Sequence, residues 1–154
     1  MPAAGLAQTK CAADDPALAA KSFYKLHENF DHEDPATFKN LVTPRVFAAL
    51  ARDYKCADGE ICAQDTVPWT DAQDGEIRDP IKFDVITASA AQASVKMSYT
   101  FELSKQQRRR MSVTLKFQRA SAQSCWLLSD FILPNGTSRI SQIEDWHKKF
   151  GTAR

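Results

Sequence analysis

The hydrophobic repeat changes period partway along this chain, and that change constrains the fold more than any other feature. From Asp14 or Asp15, an N-cap followed by Pro16, the residues Leu18, Ala19, Phe23, Leu26 and Phe30 recur at helical spacing and predict an amphipathic helix of about four turns. Asp34-Pro35 restarts the pattern for a short helix with Phe38, Leu41 and Val42. Thr43-Pro44 then caps a third helix carrying Val46, Phe47, Leu50 and Tyr54. After Pro80 the period becomes two. Ile81, Phe83 and Val85 alternate with polar residues, as do Val95 to Leu103 and Met111 to Phe117, while Ser124 to Leu133 is apolar on both faces. Ile140, Ile143, Trp146 and Phe150 return to helical spacing, begun by Thr137 or Ser138 and ended near Gly151. The expected class is α+β: three N-terminal helices packed on an antiparallel sheet of about four strands, plus a C-terminal helix.

At 154 residues the chain has one domain's worth of length, and the expected division is residues 1–13 as an export-signal remnant and N-terminal segment and 14–150 as the domain. A charged fraction of 25% and a net charge of +1 argue against disorder and against a charge-driven nucleic-acid binder. No apolar run approaches the roughly 20 residues of a membrane-spanning helix. The small net charge conceals a division. Residues 53–79 carry 2 bases and 8 acids, whereas residues 104–154 carry 10 bases and 3 acids.

Four cysteines, Cys11, Cys56, Cys62 and Cys125, permit three pairings if all are oxidised. Cys56 and Cys62 flank an Asp58-Gly59 turn signal that brings the two thiols together, so a bridge between them is expected. Cys11 and Cys125 are the remaining pair. The alternative is a buried Cys125 and a free Cys11, as a reducing compartment would require. Ala3 to Gln8 is a small-residue run of the kind that precedes a signal-peptidase site, and Thr9-Lys10 before Cys11 does not fit a lipobox. Paired cysteines and this run together point to the bacterial periplasm.

Residues 55–80 lack a regular repeat and are rich in acids and turn residues. Such stretches are usually functional or held by a disulfide. Asp58, Glu60, Asp65, Trp69, Asp71, Asp74 and Glu76 are therefore the candidate partner-binding residues. Trp69 beside Pro68 has two readings, an anchor of the loop on the sheet or a contact for a partner. Lys105, Arg108, Arg109 and Arg110 form an expected basic patch at a hairpin turn spanning Ser104 to Arg110, either a solvated edge or an attraction for an acidic surface.

Three short stretches carry a resemblance: Ser22-Phe23-Tyr24-Lys25 in the first helix, the segment from Asp65 to Asp74 (Asp-Thr-Val-Pro-Trp-Thr-Asp-Ala-Gln-Asp), and Cys125 to Ile132, whose Trp126 occupies the position of a W-x-I-D/S-D-I strand. Together they resemble a family of exported bacterial proteins with the nuclear transport factor 2-like, or cystatin-like, fold. In that family an aromatic helix leads to a D-P-F/W-x-x-A-Q-D type segment, into which this chain inserts Thr66 and Val67 before Pro68. The resemblance implies a cone-shaped domain with a curved sheet and no known catalytic apparatus. Members of the wider fold include enzymes, ligand binders, parts of secretion machinery and immunity proteins.

Side-chain chemistry narrows the classes further. His27 and His32 are five apart, so on a helix their rings diverge by about 140°, which is wrong for a zinc helix, and they are expected at the surface. His147 is expected to serve the C-terminal end of the last helix. No nucleophile elbow, P-loop or dinucleotide fingerprint occurs. A carboxylate and phenol such as Asp84 and Tyr99 could meet inside the cone only if Asp84 left its outward phase. The expectation is thus a non-enzymatic periplasmic binding protein without metal or cofactor, an immunity-type inhibitor of a secreted antibacterial effector. The alternatives are an envelope lipid or small-molecule carrier using the cone interior, and an isomerase or hydrolase of the same fold.

Overall fold

The computed structural model describes residues 15–57 and 61–151. Helix α1 (Pro16–Leu26) begins where the Asp15 carboxylate accepts from the Ala17 and Leu18 amides. It is shorter than its apolar repeat suggests, ending at His27, so Phe30 reaches the core from a turn. The reason is tertiary: the Glu28 carbonyl, which a continuing helix would need, accepts instead from the Trp69 indole at 2.7 Å. The second helical segment is a 3-10 helix, Pro35–Leu41, capped by Asp34 and kinked at Phe38. Helix α2 (Pro44–Ala57) follows, with the Thr43 hydroxyl accepting from the Val46 amide.

Strands β1 (Glu76–Ala88), β2 (Gln92–Ser104), β3 (Gln107–Gln118) and β4 (Leu127–Ile132) form one antiparallel sheet in sequence order. The sheet is curved and unclosed. Two boundaries differ from expectation. β1 starts four residues before Pro80 and runs through it, because a register shift between Arg78 and Lys82 absorbs a residue with no amide to donate to the ladder. The β2–β3 turn is only Lys105-Gln106, so all three arginines lie within β3. Helix α3 (Arg139–Phe150) closes the chain, with Ser138 as N-cap and Gly151 as C-cap.

Alternation places Ala93, Val95, Met97, Tyr99 and Phe101 of β2 and Val113, Leu115 and Phe117 of β3 on one face, buried under the helices. The opposite face carries Lys96, Ser98 and Thr100 beside Ser112, Thr114 and Lys116. Asp84 lies on that outer face opposite Lys96, while Tyr99 points inward, so the sheet separates them. Inside, the rings of Phe23, Phe30, Phe38, Trp69 and Phe131 meet at centroid distances of 4.9 to 6.3 Å. Aromatic side chains occupy the space between helices and sheet.

Candidate functional site

The acidic segment between α2 and β1 has little regular structure of its own, and the reason it holds one shape lies in what it is tied to. At its start the Cys56–Cys62 disulfide joins it to the end of α2, with a Cα–Cα separation of 6.3 Å. One turn back on α2, the buried Asp53 carboxylate accepts from the Ala63 amide at 2.9 Å. The same Oδ1 lies 2.7 Å from Nε2 of the buried His147 on α3. One carboxylate thus joins the loop, α2 and the closing helix. His147 is a buried strut that holds Asp53, a role beyond the helix-end one its sequence setting suggested.

Further along, the Val67 amide donates to the Ala72 carbonyl at 2.9 Å and closes a tight turn in which Asp71 has φ 54°. Arg139, the first residue of α3, reaches beneath this turn. Its buried guanidinium donates through Nη2 to the Thr66 carbonyl at 3.2 Å and to the Thr66 hydroxyl at 2.8 Å, with the Asp71 carboxylate at 3.8 Å. Burial pulls the Arg139 pKa down, and Asp71, Asp31 and Asp65 oppose that shift. Asp31, buried in the same region, has its pKa raised by loss of water. The centre of the loop is Trp69, fully buried among Phe23, Tyr24, Phe30 and Phe131. Its indole donates to Glu28, and its own carbonyl accepts from the Tyr99 hydroxyl. Gly75 ends the loop at φ +107°, where a Cβ would stand 2.5 Å from the Phe101 ring, so only glycine fits.

What remains outside is a small mixed surface. Ile61 is 69% exposed and Val67 41%, with Asp65, Asp74 and Glu76 also exposed. The expected partner-binding set is thereby divided. Asp65, Asp74 and Glu76 face solvent, Asp71 turns toward Arg139, and Trp69 is the internal anchor with no surface to offer. Asp58 and Glu60 lie outside the described residues, as does Cys11. Cys125 is disulfide-bonded, which removes the alternative of a buried free thiol.

No family model, curated protein or solved structure matches this chain. The site therefore rests on its own geometry.

The expected basic patch is not one patch. Arg108 and Arg110 lie on the outer sheet face, whereas Arg109 turns to the other face, its Nε 3.4 Å from the Met111 sulfur. Arg78 and Arg108 hold the Glu102 carboxylate between them, and their hydrogen bonds push its pKa below the usual carboxylate range. Arg110 donates to the Pro80 carbonyl and to the Thr100 hydroxyl, each at 3.1 Å. Only Lys105 keeps the expected place, in the turn itself.

The histidines near α1 also differ from expectation. His27 is packed against Phe23 and Phe38, with Nδ1 at 3.1 Å from Glu33, and only His32 is solvated. Asp53 and Arg139 are supporting residues that local reading missed, and it did not give the partners of His147 and Tyr99. Asp53 and His147 share one signal. Asp53 is in phase with Val46, Ala49 and Leu50, and His147 with Ile140 and Ile143, so each is a titratable residue on a buried helix face.

Proposed function

We propose that this chain is a non-enzymatic protein-binding domain that works in the bacterial periplasm as an immunity-type inhibitor, neutralising a secreted antibacterial effector through loop 61–75. The observation that carries the proposal is the fastening of that loop. A disulfide, a buried carboxylate, a buried guanidinium and a buried indole hold an otherwise irregular segment while Ile61, Asp65, Val67 and Asp74 stay exposed. A loop set in its bound shape loses little conformational entropy on association, and apolar side chains ringed by acids complement an apolar pocket edged with bases. Oxidised cysteines support an oxidising compartment. The order of helices, meander and closing helix supports the likeness to the nuclear transport factor 2-like exported proteins. Aromatic rings in the interior favour a surface-binding role over a carrier that uses the cone.

Co-expression with the product of the neighbouring gene tests the proposal. The expected outcome is a toxic product whose toxicity this chain relieves, with relief lost in a Asp65→Lys, Asp74→Lys variant that melts at the wild-type temperature. The affinity of that variant for the effector should fall about tenfold or more. A harmless neighbour, or toxicity unchanged by this chain, overturns the inhibitor assignment.

A further inference from the structure

Among the described residues strand β1 forms an edge of the sheet, bonded on one side to β2 and on the other to no strand. Alternate residues of an edge strand turn their N–H and C=O groups outward, which makes a template for a further strand. Most of this edge is protected against such pairing. Pro80 and the register shift between Arg78 and Lys82 interrupt one end, and the shift between Val85 and Thr87 interrupts the other. The uninterrupted window is Lys82 to Val85.

Beside that window runs a groove of about 450 Å³ between β1 and α1. Leu18, Tyr24, Ile81 and Phe83 supply its apolar lining, with Leu18 49% exposed, and the neighbouring Val85 of β1 is 44% exposed. Lys21 and Lys25 stand on the α1 rim, and among the described residues neither ammonium has a carboxylate partner. Asp79 and Asp15, whose carboxylate caps α1, also line the groove.

We propose that this groove binds an extended peptide segment of a partner protein, added as a fifth strand along Lys82–Val85, with alternate apolar side chains in the groove and an acidic side chain on Lys21 and Lys25. A lipid or other small apolar molecule would use the lining and leave the strand edge unsatisfied. An extended peptide uses both, with main-chain hydrogen bonds for affinity and alternate side chains for selectivity. The groove shares no lining residue with loop 61–75.

Panning a phage-displayed library of random peptides on the full chain tests the site. The expected winners carry apolar residues at alternate positions and at least one acid. Adding the synthesised winner should slow amide hydrogen exchange within Lys82–Val85 about tenfold. Leu18→Glu, and separately the Lys21→Glu, Lys25→Glu pair, should each weaken its binding about tenfold, while Asp65→Lys leaves it unchanged. All three α1 positions are exposed, so folding is not at stake. No enrichment, protection mapped elsewhere, or affinity indifferent to the α1 variants overturns the proposal. So does native mass spectrometry showing a dimer of the free chain that Leu18→Glu dissociates, since the occupant would then be a second copy. Failure of the effector test leaves these outcomes unaffected.

Discussion

At the scale of single residues, His147 and Asp53 do the work that the acidic segment cannot do for itself. A hydrogen bond between a buried imidazole and a buried carboxylate adds little net stability, because removing both groups from water costs about what their contact returns. Breaking one is different, since the survivor stays buried with fewer partners. His147→Leu should lower the unfolding free energy by about 3–5 kcal/mol in urea titration, and a loss below about 1 kcal/mol would mean the pair is not a strut. Tyr99 is a second case. Burial, then the proximity of Tyr24, pushes its phenol pKa well above the usual value, so the hydroxyl remains a donor to the Trp69 carbonyl wherever the protein is folded. The phase of Asp53 and His147 on apolar helix faces was legible in the sequence. Their mutual contact was not, because they are 94 residues apart and nothing in local spacing encodes the docking of α3 on α2.

At the scale of elements, the helices and strands follow their hydrophobic periods, and the differences arise where another element claims a backbone group. α1 stops because Trp69 takes the Glu28 carbonyl. β1 passes through Pro80 because an edge strand can bulge where a central one could not. Outside the core, α2 and α3 are joined by a bidentate pair, Arg45 Nε and Nη2 to Glu144 at 3.0 and 2.8 Å, with both side chains over 40% exposed. The hydrogen bond to Arg45 holds the Glu144 pKa below the usual carboxylate range. A depressed carboxylate contributes its stability above the unfolded pKa of about 4.3 and loses it as pH falls through the lower folded value. Glu144→Gln should therefore cost less than about 1 kcal/mol at pH 7, and the two proteins should converge in stability below about pH 4. Urea melts at pH 7, 5 and 3 check both the size and the direction.

At the scale of the whole molecule, the acidic segment 53–79 and the basic segment 104–154 prove to be partners in part. Arg139 sits under the loop beside Asp71 and Thr66, and His147 meets Asp53, so the C-terminal helix clamps the loop from below. The remaining bases of β3 are dispersed over two sheet faces. Trp69 joins the loop to α1 and to β4 through Phe131. Trp69→Ala should cost about 3–5 kcal/mol, and native-state hydrogen exchange of the Val67 and Asp71 amides should rise along with that of α1. Exchange that rises in the loop alone would show Trp69 to be a local clasp. The sequence by itself determined the class of fold, the order of its elements, the inward faces of β1 to β3 and the Cys56–Cys62 bridge, because all of these follow from periodicity and short-range geometry. The tertiary structure alone decided which charges are buried, that Trp69 faces inward, and where the described residues leave the edge of β1 without a partner strand. Those properties depend on contacts between distant segments, set by sheet register and helix docking and not by spacing along the chain.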